Sequence, residues 1–179
     1  MSTFVSYSLD PAHSSAHFSV KHLMISTVRG EFTALTGSLQ LDPARLDASH
    51  VDATIDVNSI HTGQPDRDTH LKSADFFDAA TYPTITFVSK TTTKVSDEEA
   101  TVTGDLTVHG VTKEVSLKVE GGLQEVKDPW GNLRLGFSAQ TKIKRSDFGL
   151  VWNAALETGG VMVGDDITIT LDVQFVKQS

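Results

Sequence analysis

Apolar and polar residues alternate along most of this chain. Val51, Ala53, Ile55 and Val57 face one way and Asp52, Thr54 and Asp56 the other. A period of two marks a strand with one buried face. Val5, Tyr7 and Leu9 share a face near the start, and Ala16, Phe18 and Val20 then oppose His17, Ser19 and Lys21. The pattern continues through Val102, Leu106 and Val108, then Val115, Leu117 and Val119, then Leu133, Leu135 and Phe137. It is cleanest at the end, where Ile167, Ile169, Leu171, Val173 and Phe175 oppose Thr168, Thr170, Asp172 and Gln174. Gly30 and Gly37 predict a bulge or bend before Phe32 and Leu39. Asp42-Pro43 and Asp128-Pro129-Trp130-Gly131 predict turns. Alternation does not explain Leu23-Met24-Ile25, and residues 145–163 follow no regular period.

One long interruption, Ser59 to Val88, separates the two runs of strands. Asp66 and Asp68 precede His70 and Lys72, an order of acid then base that suits the dipole of a short helix. Ser73 can cap a second turn carrying Phe76 and Phe77, and Tyr82-Pro83 ends any helix. The expected helical insertion therefore spans residues 66–80. About eight strands, each wet on one face, must hide the other in a sandwich or a closed barrel, and periodicity alone does not choose. Without a repeat or linker, residues 1–179 read as one domain.

Composition narrows the function more than the fold. A net charge of −8 disfavours a nucleic-acid surface and electrostatic docking on anionic membranes. Lys142, Lys144 and Arg145 are the nearest thing to a basic patch, and alternation puts both lysines on a solvated face. With no cysteine there are no disulfides, thiolate metal sites or cysteine nucleophiles. The first residues, MSTFVSYSLDPAHSS, carry neither a basic nor an apolar signal region, so a cytoplasmic protein is expected, with a trimmed exported protein as the competing reading.

His13 and His17 have the spacing of a helical metal pair, but the alternation around them predicts a strand, where positions four apart lie ~13 Å apart. His22 has the opposite parity, so no metal site is expected. Asp66, Asp68, His70 and Ser73 lie close together, and capping explains them better than acid–base catalysis. No nucleotide-binding motif is present and no cofactor is expected. Arg67-Asp68 and Arg145-Ser146-Asp147 each place a charge pair beside aromatic residues, either to pin an irregular segment or to meet a ligand's polar head.

Four blocks carry a family resemblance: DPAHSSAHFSVKHLMISTVRGEF, RDTHLKSADFFDAATYPTITF, GDLTVHGVTKEV and KRSDFGL. Together, in this order, the chain resembles the YceI family of lipocalin-like polyisoprenoid-binding proteins. The resemblance implies an extended antiparallel barrel of lipocalin type, an isoprenoid ligand and a homodimer as one option. Many members of that family are exported, and this chain resembles the unexported kind.

Phe18, Phe32, Phe87, Phe137, Phe175, Leu106, Val108, Leu117 and Ile169 fall on the inner face of predicted strands. Alternation alone makes them a packed core. The resemblance implies a tunnel instead, its expected wall completed by Val20, Leu39, Leu135, Phe76, Phe77 and Phe148, with Arg67 and Arg145 as head-group contacts. The leading expectation is non-enzymatic carriage of a long-chain isoprenoid, such as a quinone or polyprenyl lipid. The alternatives are an enzyme acting on such a lipid through Asp68, His70 or Arg145, and an interaction module using an exposed sheet edge.

Overall fold

The alternating runs form strands, and their inward faces meet inside a closed barrel. The structure, a computed structural model, describes residues 3–157 and 161–179. The strands are β1 (Val5–Leu9), β2 (Ser15–His22), β3 (Ser26–Phe32), β4 (Leu35–Leu41), β5 (His50–Asp56) and β6 (Ile60–His61). After the helix α1 (Pro65–Lys72) come β7 (Thr84–Lys94), β8 (Glu99–Val108), β9 (Val111–Glu120), β10 (Val126–Lys127), β11 (Leu133–Lys144) and β12 (Asp166–Lys177). All belong to one twelve-stranded antiparallel sheet. β12 pairs back onto β11 from Arg134↔Val176 to Lys144↔Asp166, closing an eight-strand ring in the order β11-β9-β8-β7-β5-β4-β1-β12. Closure pairs each ring strand on both sides, although β9 and β11 meet over only three residue pairs, from Ser138↔Glu120 to Gln140↔Lys118.

The extra strands arise from breaks in longer ones. β1 and β2 lie on the same edge of β12, with Leu9 opposite Phe175 and Ser15 opposite Asp172, separated by the 3-10 turn Pro11–His13. A break at residues 33–34 divides β3 from β4, and the 3-10 turn Val57–Ser59 divides β5 from β6. At one end, β2, β3 and β6 thus form an extension beside the ring, and β6 leads into α1. The helix and the turns after it pack inward through Leu71 and Phe77, with Phe77 edge-on to Phe32 at 5.7 Å.

Several local expectations change. His13 is in the 3-10 turn and not on a strand; it pairs with Asp10 at 2.8 Å, while His17 on β2 meets Ser15 at 2.7 Å. α1 ends at Lys72, so the predicted helix over 66–80 becomes one helix followed by turns. Ser73 does receive the Asp75 amide at its hydroxyl, as a cap would. Gly30 makes no bulge: its register with Phe18 is unbroken, and a Cβ there would come within 2.4 Å of the Phe18 ring. Leu23-Met24-Ile25 is the turn of the β2–β3 hairpin, with Leu23 and Met24 at positive φ of 53° and 63° and Leu23 N–H donating to the Met162 carbonyl.

Candidate functional site: an apolar cavity in the barrel

The inward faces do not fill the barrel. They surround a cavity of about 850 Å³. Phe18 and Val20 on β2, Phe32 on β3, Leu39 on β4 and Phe87 on β7 line it. So do Leu106 and Val108 on β8, Leu117 on β9, Phe137 on β11, and Ile169 and Phe175 on β12. Phe76 and Phe77, from the turns after α1, close the helical end. A single period-two rule places most of these residues, because each strand of a closed barrel must turn the same alternate face inward.

Leu135 and Phe148 lie elsewhere. Each is only 1% exposed and belongs to the packed core, and neither borders the cavity. Leu135 sits near the start of β11 in a cross-strand row with Phe175 and Leu9, which border the cavity while Leu135 itself is covered. Phe148 ends the 3-10 turn Arg145–Phe148, which Gly149 terminates in the left-handed conformation.

The two arginines hold chain segments in place. Arg67 donates from Nε to the Thr62 hydroxyl and from Nη2 to the Thr62 carbonyl at 2.7 Å, and it does not border the cavity. Arg145 does border it but is 5% exposed. Its Nε donates to the Gly164 carbonyl, Nη1 to Leu150 and Trp152, and Nη2 to Val163, at 2.7–3.2 Å. Burial pushes its guanidinium pKa down from the ordinary value. Leu150 and Trp152 on one side, and Val163 and Gly164 on the other, are thus held around one buried cation. Carbonyls gathered in this way leave no period in the sequence; residues 158–160 of the irregular stretch lie outside the described residues.

The groups weighed for catalysis do not converge on the cavity. Asp68 accepts from the Thr62 amide at 2.9 Å and from the Thr62 hydroxyl. His70 bonds Asp75 at 2.9 Å and packs edge-on against Trp152 at 4.8 Å. Neither lines the cavity. Among the described residues, no cluster of three or more His, Cys, Asp or Glu is placed to hold a metal, and no helix is long and apolar enough to cross a membrane.

The opposite end of the cavity was not anticipated. It is bounded by the β4–β5 connection with Arg45, Leu46 and Asp47, by Lys94, Ser96 and Asp97 at the β7–β8 turn, and by Gly121 and Leu123. Exposed side chains here share the cavity wall with buried ones, so this end is its mouth. These residues sit in loops, where alternation carries no information. The segment after β9 crosses this end of the barrel. Glu125 there accepts from the Tyr7 hydroxyl at 2.6 Å and pairs with Lys177 at 3.0 Å. Burial, and then the Glu125 carboxylate, push the Tyr7 pKa up.

Comparison with known proteins agrees with this geometry. A YceI-like domain model matches residues 7–175. A UPF0312 protein of Staphylococcus aureus is 39% identical over 171 residues, covering 94% of this chain and 96% of its own length. The crystal structure of BcnA from Burkholderia cenocepacia superposes with a TM-score of 0.80 at 27% identity, over 93% of this chain and 98% of that one. A polyisoprenoid binding domain from Saccharophagus degradans, at 20% identity, shares the fold with a TM-score of 0.66 over 96% of this chain and 98% of its own.

Proposed function

This chain belongs to the YceI-like family, and from that premise we propose that it binds a long-chain isoprenoid lipid inside the barrel without chemically transforming it. The cavity carries the proposal: about 850 Å³ of space walled mainly by Phe, Leu, Ile, Val and Ala side chains, with most of its charged residues at the mouth. At ~30 Å³ for a group the size of a water molecule, that is room for on the order of 30 chain atoms. Burying such a chain stabilises the complex by roughly 25 cal/mol per Å² of apolar surface, before the entropic cost of association. A related domain of the same fold, from Saccharophagus degradans, is named for polyisoprenoid binding. A binding role is favoured over catalysis because Asp68 and His70 lie off the cavity and Arg145 is occupied by four backbone carbonyls.

The test is extraction of the natively purified protein, followed by mass spectrometry. A long-chain isoprenoid in stoichiometric amount, recovered unchanged after incubation, is the expected result. No co-purified lipid, together with no uptake of an added prenol, would sink the proposal. Conversion of the lipid during incubation would turn it into an enzyme.

A further inference from the structure

We propose that the cavity takes its lipid tail-first, leaves the head group at the mouth, and selects a head that is uncharged or cationic over phosphate or carboxylate. This inference rests on the lipid-binding reading above. Orientation follows from where polar groups stand. The helical end is closed by Leu71, Phe76, Phe77 and Leu150, and Arg145 there already serves four carbonyls. A head group driven to that end would lose its hydration with few partners to replace it. At the mouth, Ser49, Thr92, Thr93 and Ser96 offer hydroxyls beside open solvent.

The charge preference follows from how the cations of the mouth are engaged. Lys94 pairs with Asp97 at 2.9 Å and Arg45 with Asp47 at 3.5 Å. Lys118, next to the mouth, lies between Glu99 at 4.0 Å and Glu120 at 3.5 Å. Glu98, Glu99 and Glu120 also line a recess that shares Ser96, Glu99 and Gly121 with the cavity. Five carboxylates (Asp47, Asp97, Glu98, Glu99, Glu120) therefore surround three cations (Arg45, Lys94, Lys118). A diphosphate arriving here would have to break existing ion pairs while facing surplus negative charge, and a cleft concentrates such a field. A hydroxyl, carbonyl or amide head avoids that repulsion, and an ammonium head is attracted.

Delipidated protein would be titrated with geranylgeraniol, geranylgeranylamine and geranylgeranyl diphosphate, which share one tail. The alcohol and the amine should bind at least about tenfold more tightly than the diphosphate at low salt, and the gap should narrow as salt screens the mouth. Replacing two carboxylates together, Asp97→Lys with Glu98→Lys, should raise the affinity for the diphosphate relative to the alcohol. Equal or tighter binding of the diphosphate by the wild type overturns the head-group selection and leaves the lipid reading intact. Failure of all three to bind overturns both.

Discussion

Ala139→Phe tests whether the interior is free space or a packed core. Ala139 lies on β11 with its side chain inward, flanked in register by Val119 on β9 and Leu171 on β12, and it borders the cavity. The substitution adds six ring carbons, roughly 100 Å³ at close-packed density. Against about 850 Å³ of cavity this is about an eighth of the space. In a filled core, overpacking of this kind costs typically ~1–3 kcal/mol. Here the ring can enter the void and bury apolar surface, so the lipid-free protein should lose less than about 1 kcal/mol, a fall in Tm of no more than about 4 °C for a domain this size. Lipid capacity should fall, because at ~30 Å³ per chain atom the ring displaces about three chain carbons, each worth about 0.8 kcal/mol of burial. That amounts to about 2.4 kcal/mol, or roughly fiftyfold in affinity. Leu135→Trp is the control: Leu135 is 1% exposed and away from the cavity, so it should carry the full overpacking cost. The measurement is paired, with thermal melting of both lipid-free variants and quantitation of bound lipid. Equal destabilisation by the two substitutions would falsify the view that the cavity is open when no lipid is bound.

Two further predictions concern the scaffold. Arg145→Met should destabilise the fold by roughly 3 kcal/mol or more, since it leaves the carbonyls of Leu150, Trp152, Val163 and Gly164 without their donor; Arg145→Lys should rescue little because an ammonium cannot span them, and amide exchange at Met162 and Gly164 reports the loss. At the other end, hydrogen bonds from Arg134 hold the carboxyls of Asp10 and Asp128 at about 2, with His13 helping at Asp10. Carboxylates depressed in the folded state give stability that is present above their ordinary value near 3.9 and lost as pH falls through about 2. The Tm gap between wild type and Arg134→Gln should therefore narrow steadily from pH 5 to pH 2, and a constant gap would show that the pairs contribute nothing.

Strand positions and inward faces were legible because a half-buried strand writes its environment into every second residue. That rule alone identifies Phe18, Phe87, Leu106, Leu117, Phe137 and Ile169 as inward, and each borders the cavity. The resemblance across four blocks fixed the barrel in place of a sandwich, a choice periodicity leaves open. Helix α1 was legible from its charge order, although the turns carrying Phe76 and Phe77 are not helical.

Other features have no local signature. Leu135 and Phe137 have the same residue class and parity, yet one is sealed in the core and the other borders free volume. The difference depends on which side chains arrive from β12 and β1, and no single strand contains that information. Arg145 could be read as pinning a segment or as meeting a ligand; in the structure it donates to four carbonyls, two close by at Leu150 and Trp152 and two further along at Val163 and Gly164, a gathering that alternation does not encode. The mouth is set by loops whose charges become neighbours only when the barrel closes. Which faces are apolar is thus written along the chain, since burial selects residue type position by position. Whether those faces meet or leave a space is set by the folded barrel, because packing is a property of all the strands at once.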